Sequence, residues 1–295
     1  MAFAYRGRFA PSPTGPLHLG SLFVALASWL QARSQNGEWL LRIEDLDRSR
    51  GHARFTDDIL HTLDRFGLHW DGPVLYQSQR DAAYQSALER LKERDLLYAC
   101  RCTRRELLES QPGVDGPVYP GTCRRSTVAA SEKHSLRLKV NDARIQFCDR
   151  IQGEHHQMLA QDVGDFVLRR SDGLFAYQLA VVIDDADQGI TEVLRGADLL
   201  NSTPRQIYLQ ALLGLDTPGY AHVPLLIDDA GQKLSKQRQS DPVAATSTDA
   251  ALRCCLKLLG HVPPTDLGAG ELLNWAIANW SFERIPQQQR LVAMA

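Results

Sequence analysis

The chain has 295 residues, of which 44% are hydrophobic and 23% are charged, and its formal net charge is −2. This composition is ordinary for a globular protein with a sizeable core, and the near-neutral charge excludes a global basic field, so any contact with RNA must come from local patches. No apolar run approaches the roughly 20 residues that a membrane helix needs, and the N-terminus leaves no room for a signal peptide before the first motif, so we expect a cytoplasmic protein.

The first predicted element is a short strand over residues 5–10, which delivers Arg8 to a loop that leads into a helix predicted over residues 22–32. The loop contains three prolines: Pro11, Pro13 and Pro16. Because each proline fixes its own φ and restricts the residue before it, helix is disfavoured before Leu17. The sequence therefore predicts a rigid loop that ends at a helix N-terminus.

The end of this loop carries groups that favour an anion. Gly20 has no Cβ, so a flat ligand can approach the backbone, and Ser21 can cap the helix. His18 stands beside the helix start, where free N–H groups and the helix dipole favour a polyanion. The alternative is a proline-rich turn before an ordinary core helix. The stretch as a whole predicts a site for a nucleoside triphosphate.

A second strand is predicted over residues 38–44, after a turn signal at Asn36. Strand, helix and strand in this order indicate a parallel α/β unit with a right-handed crossover. Ligands of such sheets bind at the carboxyl ends of the strands, where Arg8, Ser12 and Glu44 fall. Glu44 could bind an amino group there, and the alternative is that it belongs to a solvated helix cap.

Most of the following segments indicate scaffold: helices over 54–66 and 82–97, a strand over 135–140, a hairpin over 165–177, and buried helix-to-strand material over 178–186. A further strand over 190–198 places Arg195 beside Gly196. An arginine at a strand end indicates a ligand, and the alternative is a salt bridge from Arg195 to Asp184, Asp185 or Asp198.

Six cysteines are too few for a disulfide framework, but three of them lie close together in the sequence. Cys100 and Cys102 form a C-x-C pair, and Cys123 follows them. Such a set can chelate one Zn²⁺, although a closed structural site needs a fourth ligand. The candidates for that ligand are Tyr119, His134 and water, and free thiols are the alternative to a metal site.

Two lysines near the end of the chain, Lys233 and Lys236, follow a strand predicted over residues 222–227 and a turn. Both can face a triphosphate from such a loop, although this pattern alone is common on protein surfaces. The chain then holds helices predicted over 249–259 and 271–280 and a tail over 287–295. We expect too little chain here for a separate domain of the usual size.

Residues 11–15 with 18–21, together with residues 233–237, resemble the two signatures of class I aminoacyl-tRNA synthetases of the glutamyl type. The resemblance covers about residues 5–280 and implies an α/β fold. It implies a Rossmann-like parallel-sheet catalytic domain, an inserted zinc-bearing acceptor-type subdomain and a short C-terminal helical region. It further implies that residues 1–97 and 191–240 form the two halves of the catalytic domain and that residues 98–190 form the insert. Residues 241–295 would form a helical region without an anticodon-binding domain.

With both signatures, a cysteine-bearing insert and no anticodon-binding half, the sequence is similar to the glutamyl-queuosine branch of the family. It implies activation of L-glutamate by ATP without tRNA, then transfer of glutamate to the queuosine base in the anticodon of tRNA(Asp). It also implies Mg²⁺ with ATP, a monomer, and one structural Zn²⁺ at Cys100, Cys102, Tyr119 and Cys123. The alternatives are a truncated glutamyl-tRNA synthetase that charges the tRNA 3′ end, or a catalytically inactive paralogue that binds RNA or an amino acid.

The same resemblance implies a role for each residue of the glutamate site. The γ-carboxylate would be bound by Arg8, Tyr177 and Arg195. The α-amino end would be held by Ser12 and Glu44. The loop residues that complete this site would be Phe9, Ala10 and Pro11.

The ATP site is implied in the same way. ATP would be bound by His18, Gly20, Ser21 and Lys236. The catalytic residues would be His18, Lys233 and Lys236, with the two lysines stabilising the phosphorus during in-line attack. Gln237 departs from the serine that the family usually has there, but both lysines remain, so we expect activity to survive.

Overall fold

The computed structural model describes residues 4–47, 53–129, 131–233 and 243–293. Its helices are α1 (Leu19–Ser34), α2 (Ala53–Arg65), α3 (Asp81–Glu93), α4 (Arg104–Leu107), α5 (Leu159–Asp162), α6 (Tyr177–Asp187), α7 (Thr203–Leu213), α8 (Thr248–Leu258) and α9 (Ala269–Ala278). Its strands are β1 (Arg6–Phe9), β2 (Glu38–Ile43), β3 (Leu75–Tyr76), β4 (Leu97–Cys100), β5 (Pro112–Gly113), β6 (Gly116–Pro117), β7 (Ser135–Leu138), β8 (Arg144–Asp149), β9 (Gly153–Met158), β10 (Phe166–Arg169), β11 (Glu192–Gly196), β12 (Gly219–Val223), β13 (Leu225–Ile227) and β14 (Arg290–Val292).

Two mainly parallel sheets lie edge to edge. One has the order β1-β2-β3, and the other has the order β11-β12-β8-β9, with β9 antiparallel at its edge. They meet where the N–H of Thr191 donates to the carbonyl of Arg6 at 2.9 Å and the N–H of Arg6 donates to Thr191 Oγ1 at 2.9 Å. Because both contacts lie at the starts of β1 and β11, the carboxyl ends of these strands open on the same side.

The third sheet is antiparallel and belongs to the middle of the chain. Its order is β10-β7-β4, and β5 and β6 form a separate small hairpin. A second apolar cluster packs under this sheet and includes Tyr84, Leu138, Leu168 and Leu179. The middle of the chain therefore has its own core, whereas β8 and β9 extend the parallel sheet.

The helix α1 is the centre of the main core. Ten of its 16 residues are buried, and it contacts β1, β2 and β11 as well as α8 and α9. A helix that is apolar on all sides needs neighbours around its whole circumference, and the two C-terminal helices supply them. Among the described residues, no helix is both long and apolar enough to cross a membrane.

Several predicted elements differ from the observed ones. Residues 178–186 lie in one helix, α6, rather than in a helix-to-strand transition. The helix predicted over 82–97 ends at Glu93, and Leu97, the last residue of the predicted helix, is the first residue of β4. The tail predicted over 287–295 contains β14, which pairs in parallel with β13 and closes on the main core. A run of Leu and Val residues satisfies helix and strand patterns equally, and a three-residue strand forms only because a distant partner is present.

Candidate functional site

A single cavity of about 260 Å³ opens at the carboxyl ends of β1, β2 and β11, beside the start of α1. It is lined by twelve of the residues predicted from sequence: Arg8, Phe9, Ala10, Pro11, Ser12, His18, Gly20, Ser21, Glu44, Tyr177, Arg195 and Lys233. Lys236 and Gln237 lie outside the described residues. The cavity therefore places the proposed glutamate and ATP groups around one space.

The start of α1 is capped by His18, so the prediction that Ser21 caps this helix was wrong. The helix begins at Leu19, and Nδ1 of His18 accepts the backbone N–H of Ser21 at 3.2 Å. Nε2 of the same ring lies 3.1 Å from Ser21 Oγ. Both ring nitrogens of His18 therefore face Ser21, and these two residues line the cavity together with Gly20 in the first turn.

Arg8 enters the cavity with its charge already compensated. Its Nε and Nη2 donate to Asp185 at 3.0 and 3.4 Å, and Arg42 Nη2 donates to the same carboxylate at 2.5 Å. Burial alone would raise the pKa of Asp185, but the guanidinium groups of Arg42 and Arg8 hold it below its usual range. The pair is buried, and Arg42 is fully excluded from solvent. This network fixes the direction of Arg8.

Arg195 is held differently, by uncharged groups. Its Nε donates to His222 Nε2 at 2.9 Å and its Nη2 donates to Thr203 Oγ1 at 2.9 Å. Its Nη1 lies 3.4 Å from the hydroxyl of Tyr177, whose pKa is raised by burial. The alternative of a salt bridge to a nearby aspartate is wrong, because the three aspartates considered have other partners. Asp185 pairs with Arg8 and Arg42, Asp184 with Gln77, Arg80 and Tyr84, and Asp198 with Lys233.

Glu44 lies at the end of β2, where its N–H donates to the carbonyl of Pro11 at 3.0 Å. Glu44 follows the strand directly and lines the cavity, so it is not part of a solvated helix cap. Burial raises its pKa to about 7, although Arg42 and Arg8 pull it down. Glu44 is half-buried, and a carboxyl group with a raised pKa gains strongly from a cationic partner. The neighbouring Asp45 has a structural role, since it accepts the N–H and hydroxyl of Ser78 at 2.8 and 2.6 Å.

Lys233 reaches the cavity from the opposite wall. It follows β13, with which it forms an isolated bridge at Ile227, and its ammonium group is paired with Asp198 beyond the end of β11. A lysine on a flexible stem can exchange such a partner for a phosphate. The structure therefore places one of the two predicted lysines where a triphosphate could lie.

Three thiols and a phenol form a second candidate centre in the middle of the chain. The sulfur atoms of Cys100, Cys102 and Cys123 lie within 4.8 Å of one another, with Cys102 and Cys123 at 3.5 Å. Tyr119 Oη lies 3.3 Å from Cys100 Sγ and 3.7 Å from Cys102 Sγ, and it accepts the N–H of Cys123 at 2.9 Å. In a tetrahedral Zn²⁺ site with Zn–S bonds of about 2.3 Å, sulfur atoms lie about 3.8 Å apart. The donor set and its spacing fit a zinc ion.

His134 is not part of this cluster. Its Nδ1 lies 2.7 Å from the carbonyl oxygen of Glu132, and the ring borders a different surface cleft. Of the candidates for the fourth ligand, the structure brings Tyr119 to the three sulfur atoms. The pKa of Cys123 is about 7, because hydrogen bonds from Arg101 N–H, Tyr119 and the other thiols outweigh the opposite effect of burial. A thiol that ionises near neutral pH suits a metal ligand.

Four polar residues that the sequence analysis did not assign to the site support it from below: Arg42, Asp149, Asp185 and His222. All are buried, and all are bonded to Arg8, to Arg195 or to each other. A charged or polar side chain within an apolar strand, such as Arg42 in β2 or His222 in β12, indicates a buried partner. That signal was present in the sequence, but it does not identify the partner.

The chain is similar to known proteins over nearly its whole length. The family model for class I tRNA synthetases (E and Q), catalytic domain, matches residues 4–252. A glutamyl-Q tRNA(Asp) synthetase of Chromobacterium violaceum is 54% identical over 284 residues, covering 96% of this chain and 95% of the relative. Another, from Dechloromonas aromatica, is 52% identical over 297 residues, covering 99% of each. The solved structure of a glutamate tRNA ligase from Elizabethkingia meningosepticum, in complex with its amino acid, has a TM-score of 0.82 and 26% identity, covering 99% of this chain and 67% of that one.

Proposed function

Since the chain belongs to the class I tRNA synthetases for glutamate and glutamine and, within them, to the glutamyl-Q tRNA(Asp) synthetases, we propose the following reaction for it. The enzymes of this group are ligases. The protein activates L-glutamate with ATP, without tRNA, to form glutamyl-adenylate. It then transfers the glutamyl group to the queuosine base in the anticodon of tRNA(Asp). The fold is that of a class I synthetase catalytic domain, with an α/β architecture and a parallel sheet.

One observation carries the proposal, namely that groups for two substrates border one cavity. Arg195 and Tyr177 offer donors to a side-chain carboxylate, and Glu44 offers a carboxyl group to an α-ammonium. The start of α1 offers backbone N–H donors to a phosphate, with His18 beside it, and Lys233 lines the same cavity. A protein that only bound an amino acid would not need the phosphate-binding groups.

In the first step, an α-carboxylate oxygen of glutamate attacks the α-phosphorus of ATP. The new O–P bond forms as the bond to the β-phosphate oxygen breaks, and pyrophosphate leaves. Charge accumulates on the phosphate oxygens, and we assign its stabilisation to His18, Lys233 and Lys236. Lys233 must exchange its ion pair with Asp198 for a contact with phosphate, and before that exchange the ion pair keeps its ammonium group close to the cavity.

In the second step, a nucleophile on the queuosine base attacks the glutamyl carbonyl carbon, and AMP leaves. No group of the protein needs to form a covalent bond. The carbonyl of glutamate is held between two bound ends. We assign the side-chain end to Arg8, Tyr177 and Arg195, and the amino end to Ser12 and Glu44. Orientation of this kind accounts for a large part of the rate in such reactions.

Metal ions enter the proposal in two places. We propose a structural Zn²⁺ held by Cys100, Cys102, Tyr119 and Cys123, which would fix the loop between β4 and β7 to the antiparallel sheet. Class I synthetases use Mg²⁺ with ATP, and we expect it to enter with the nucleotide. In the part of the chain that the structure describes, the cysteine cluster is the only group of three or more Cys, His, Asp or Glu spaced to hold a metal.

We also propose that residues 98–190 include the insert that approaches RNA. Its helix α4 and its neighbours carry exposed basic side chains, including Arg101, Arg104, Arg105 and Arg125. Such side chains can follow a phosphate backbone without reading its sequence. Its hairpin is tied to the remainder of the chain by Asp115, which pairs with Arg205 at the start of α7. The remaining expectations, a cytoplasmic monomer and an organisation into segments 1–97, 98–190, 191–240 and 241–295, are part of the same proposal.

The proposal is tested by pyrophosphate exchange and by acceptor mapping. With glutamate and ATP alone, we expect exchange of pyrophosphate into ATP. With labelled glutamate and tRNA(Asp), we expect label only when queuosine is present, and nuclease digestion should place that label on the anticodon fragment and not on the 3′-terminal nucleoside. Exchange that requires tRNA, or label on the 3′ end, would support the truncated charging enzyme instead. No exchange and no label, with binding retained, would indicate the inactive paralogue.

A further inference from the structure

A buried chain of three polar side chains leads from β8 to the cavity. Asp149 Oδ2 lies 2.5 Å from His222 Nδ1, and His222 Nε2 lies 2.9 Å from Arg195 Nε. Asp149 is 1% exposed, His222 is 0% exposed and Arg195 is 4% exposed. Only the last of the three lines the cavity. The two inner residues therefore cannot touch a substrate, but they contact a residue that can.

The hydrogen bonds of Asp149 determine the proton positions in this chain. Its Oδ1 accepts three backbone N–H groups, those of Ile151 at 3.0 Å, Gln152 at 2.9 Å and His222 at 3.1 Å. These donors and the His222 ring hold its pKa below the usual range despite burial. An ionised carboxylate only accepts, so Nδ1 of His222 carries the proton and Nε2 presents a lone pair to Arg195.

We propose that Asp149 and His222 are positioning residues that hold Arg195 in the cavity without neutralising its charge, which makes Arg195 the group that selects an anionic substrate side chain. This inference rests on the proposed function and adds the origin of its specificity. Within the described residues, the hydrogen-bond partners of Arg195 are all uncharged: His222, Thr203, Tyr177 and the carbonyl of Leu199.

The contrast with Arg8 explains why a neutral partner matters. Arg8 lines the same cavity but shares the carboxylate of Asp185, so much of its field is cancelled there. His222 stays uncharged at neutral pH, because burial and the nearby Arg195 lower its pKa to about 4 against the opposing effect of Asp149. Arg195 is thus held by hydrogen bonds to uncharged groups and keeps its full charge. Glutamate and glutamine differ mainly in charge at this position, so this arrangement favours glutamate.

The sharpest test is Asp149→Asn, which keeps the shape of the side chain and reverses the proton positions. The amide oxygen must remain at Oδ1, where three N–H groups point, so the amide NH₂ replaces Oδ2 and donates to Nδ1. The proton of His222 then moves to Nε2 and faces the N–H of Arg195. We expect KM for glutamate in pyrophosphate exchange to rise about tenfold and kcat to change less than about threefold. The preference for glutamate over glutamine in kcat/KM should fall about tenfold, which is about 1.4 kcal/mol.

Two further variants separate positioning from folding. His222→Phe keeps an aromatic ring but removes the acceptor, and it should show the same KM effect. His222→Gln can offer an amide oxygen to Arg195 and should restore part of the preference. His261→Phe is the matched control, since His261 is an equally buried histidine that stacks on Trp280. We expect it to lower the melting temperature without changing the preference for glutamate.

A readout that needs no activity is the ¹⁵N spectrum of His222, which should show the Nδ1–H tautomer in the wild type and Nε2–H in Asp149→Asn. An Nε2–H tautomer in the wild type would overturn the inference. So would variants at Asp149 and His222 that lower stability but leave KM and the glutamate preference within about twofold. A wild-type protein that shows no exchange with glutamate would instead refute the proposed function, with the tautomer still testing the geometry.

Discussion

The ionisation of Glu44 should control the affinity for glutamate. Burial raises the pKa of this carboxyl group to about 7, with Arg42 and Arg8 opposing and Asp185 and Asp184 reinforcing the rise. In the proposed site it must be ionised to bind the α-ammonium of the substrate, which remains protonated near neutral pH. Since the pKa is raised, the binding-competent form prevails above pH 7 and is lost as the pH falls through that value.

The size of the effect follows from this pKa. For a single group with a pKa of about 7, the apparent dissociation constant grows by a factor of about 1.1 at pH 8, about 2 at pH 7 and about 11 at pH 6. We therefore expect KM for glutamate in pyrophosphate exchange to rise about tenfold from pH 8 to pH 6. The effect on KM for ATP should be small, because the phosphate groups proposed here do not include Glu44.

The assay is pyrophosphate exchange at constant ionic strength, with KM for glutamate and ATP measured at each pH. Glu44→Gln is the control variant, because its side chain has nearly the same shape and does not titrate. Its KM for glutamate should be high at every pH and nearly flat. A wild-type KM that is flat between pH 6 and 8, or a Glu44→Gln variant with the same slope as the wild type, would refute this account of the amino-group site.

Three further changes test other parts of the structure. Asp185→Asn leaves the buried Arg8 and Arg42 with less compensation and should cost about 3–5 kcal/mol of unfolding free energy in urea, whereas Glu38→Gln, in an exposed pair, should cost under about 1 kcal/mol. Lys233→Ala should lower kcat for pyrophosphate exchange roughly 100-fold and leave KM for glutamate nearly unchanged, because it would act on the charge that develops at phosphorus. Cys102→Ser should abolish zinc retention in elemental analysis, and Cys148→Ser, at an exposed thiol, should not.

Each of these has a clear opposite result. A small stability change in Asp185→Asn would mean that solvent or another group compensates the two arginines. An effect of Lys233→Ala on KM alone would place the lysine on the ground state of a substrate. Full zinc content in Cys102→Ser, or none in the wild type, would remove the metal from the proposal.

Local sequence rules were sufficient for the first half of the site. Prolines before Leu17 and the apolar run after it predict a loop that feeds a helix, and the loop does end at α1. Alternating β and α patterns predict that Arg8 and Glu44 lie at neighbouring strand ends, and both line one cavity. The loop depends on backbone restriction over a few residues, and the shared strand ends depend on the regular geometry of consecutive strand, helix and strand.

The remaining parts depend on partners that are far away in the sequence. His222 and Asp149 are 73 positions apart, and no local pattern links a histidine in one strand to an aspartate at the end of another. β14 exists because β13 offers it an edge, so the tail could not be predicted to form a strand. Serine is the commoner helix cap, which favours Ser21 from sequence, but the helix begins at Leu19 and the ring nitrogen of His18 accepts the N–H of Ser21 instead.

The charges around the cavity explain why its ligand should carry both signs. Among the described residues that line it, Arg8 is paired with Asp185 and Lys233 with Asp198, which leaves Arg195 as the arginine or lysine without a carboxylate partner. Glu44 is the complementary case, a carboxyl group whose pKa is raised because burial outweighs its neighbours. A ligand with one ammonium and one side-chain carboxylate satisfies both groups at once. In the proposed reaction its α-carboxylate is the attacking group, and we assign no arginine or lysine to bind it. An oxygen whose charge is not cancelled is the better nucleophile toward phosphorus, which is the role that adenylate formation requires.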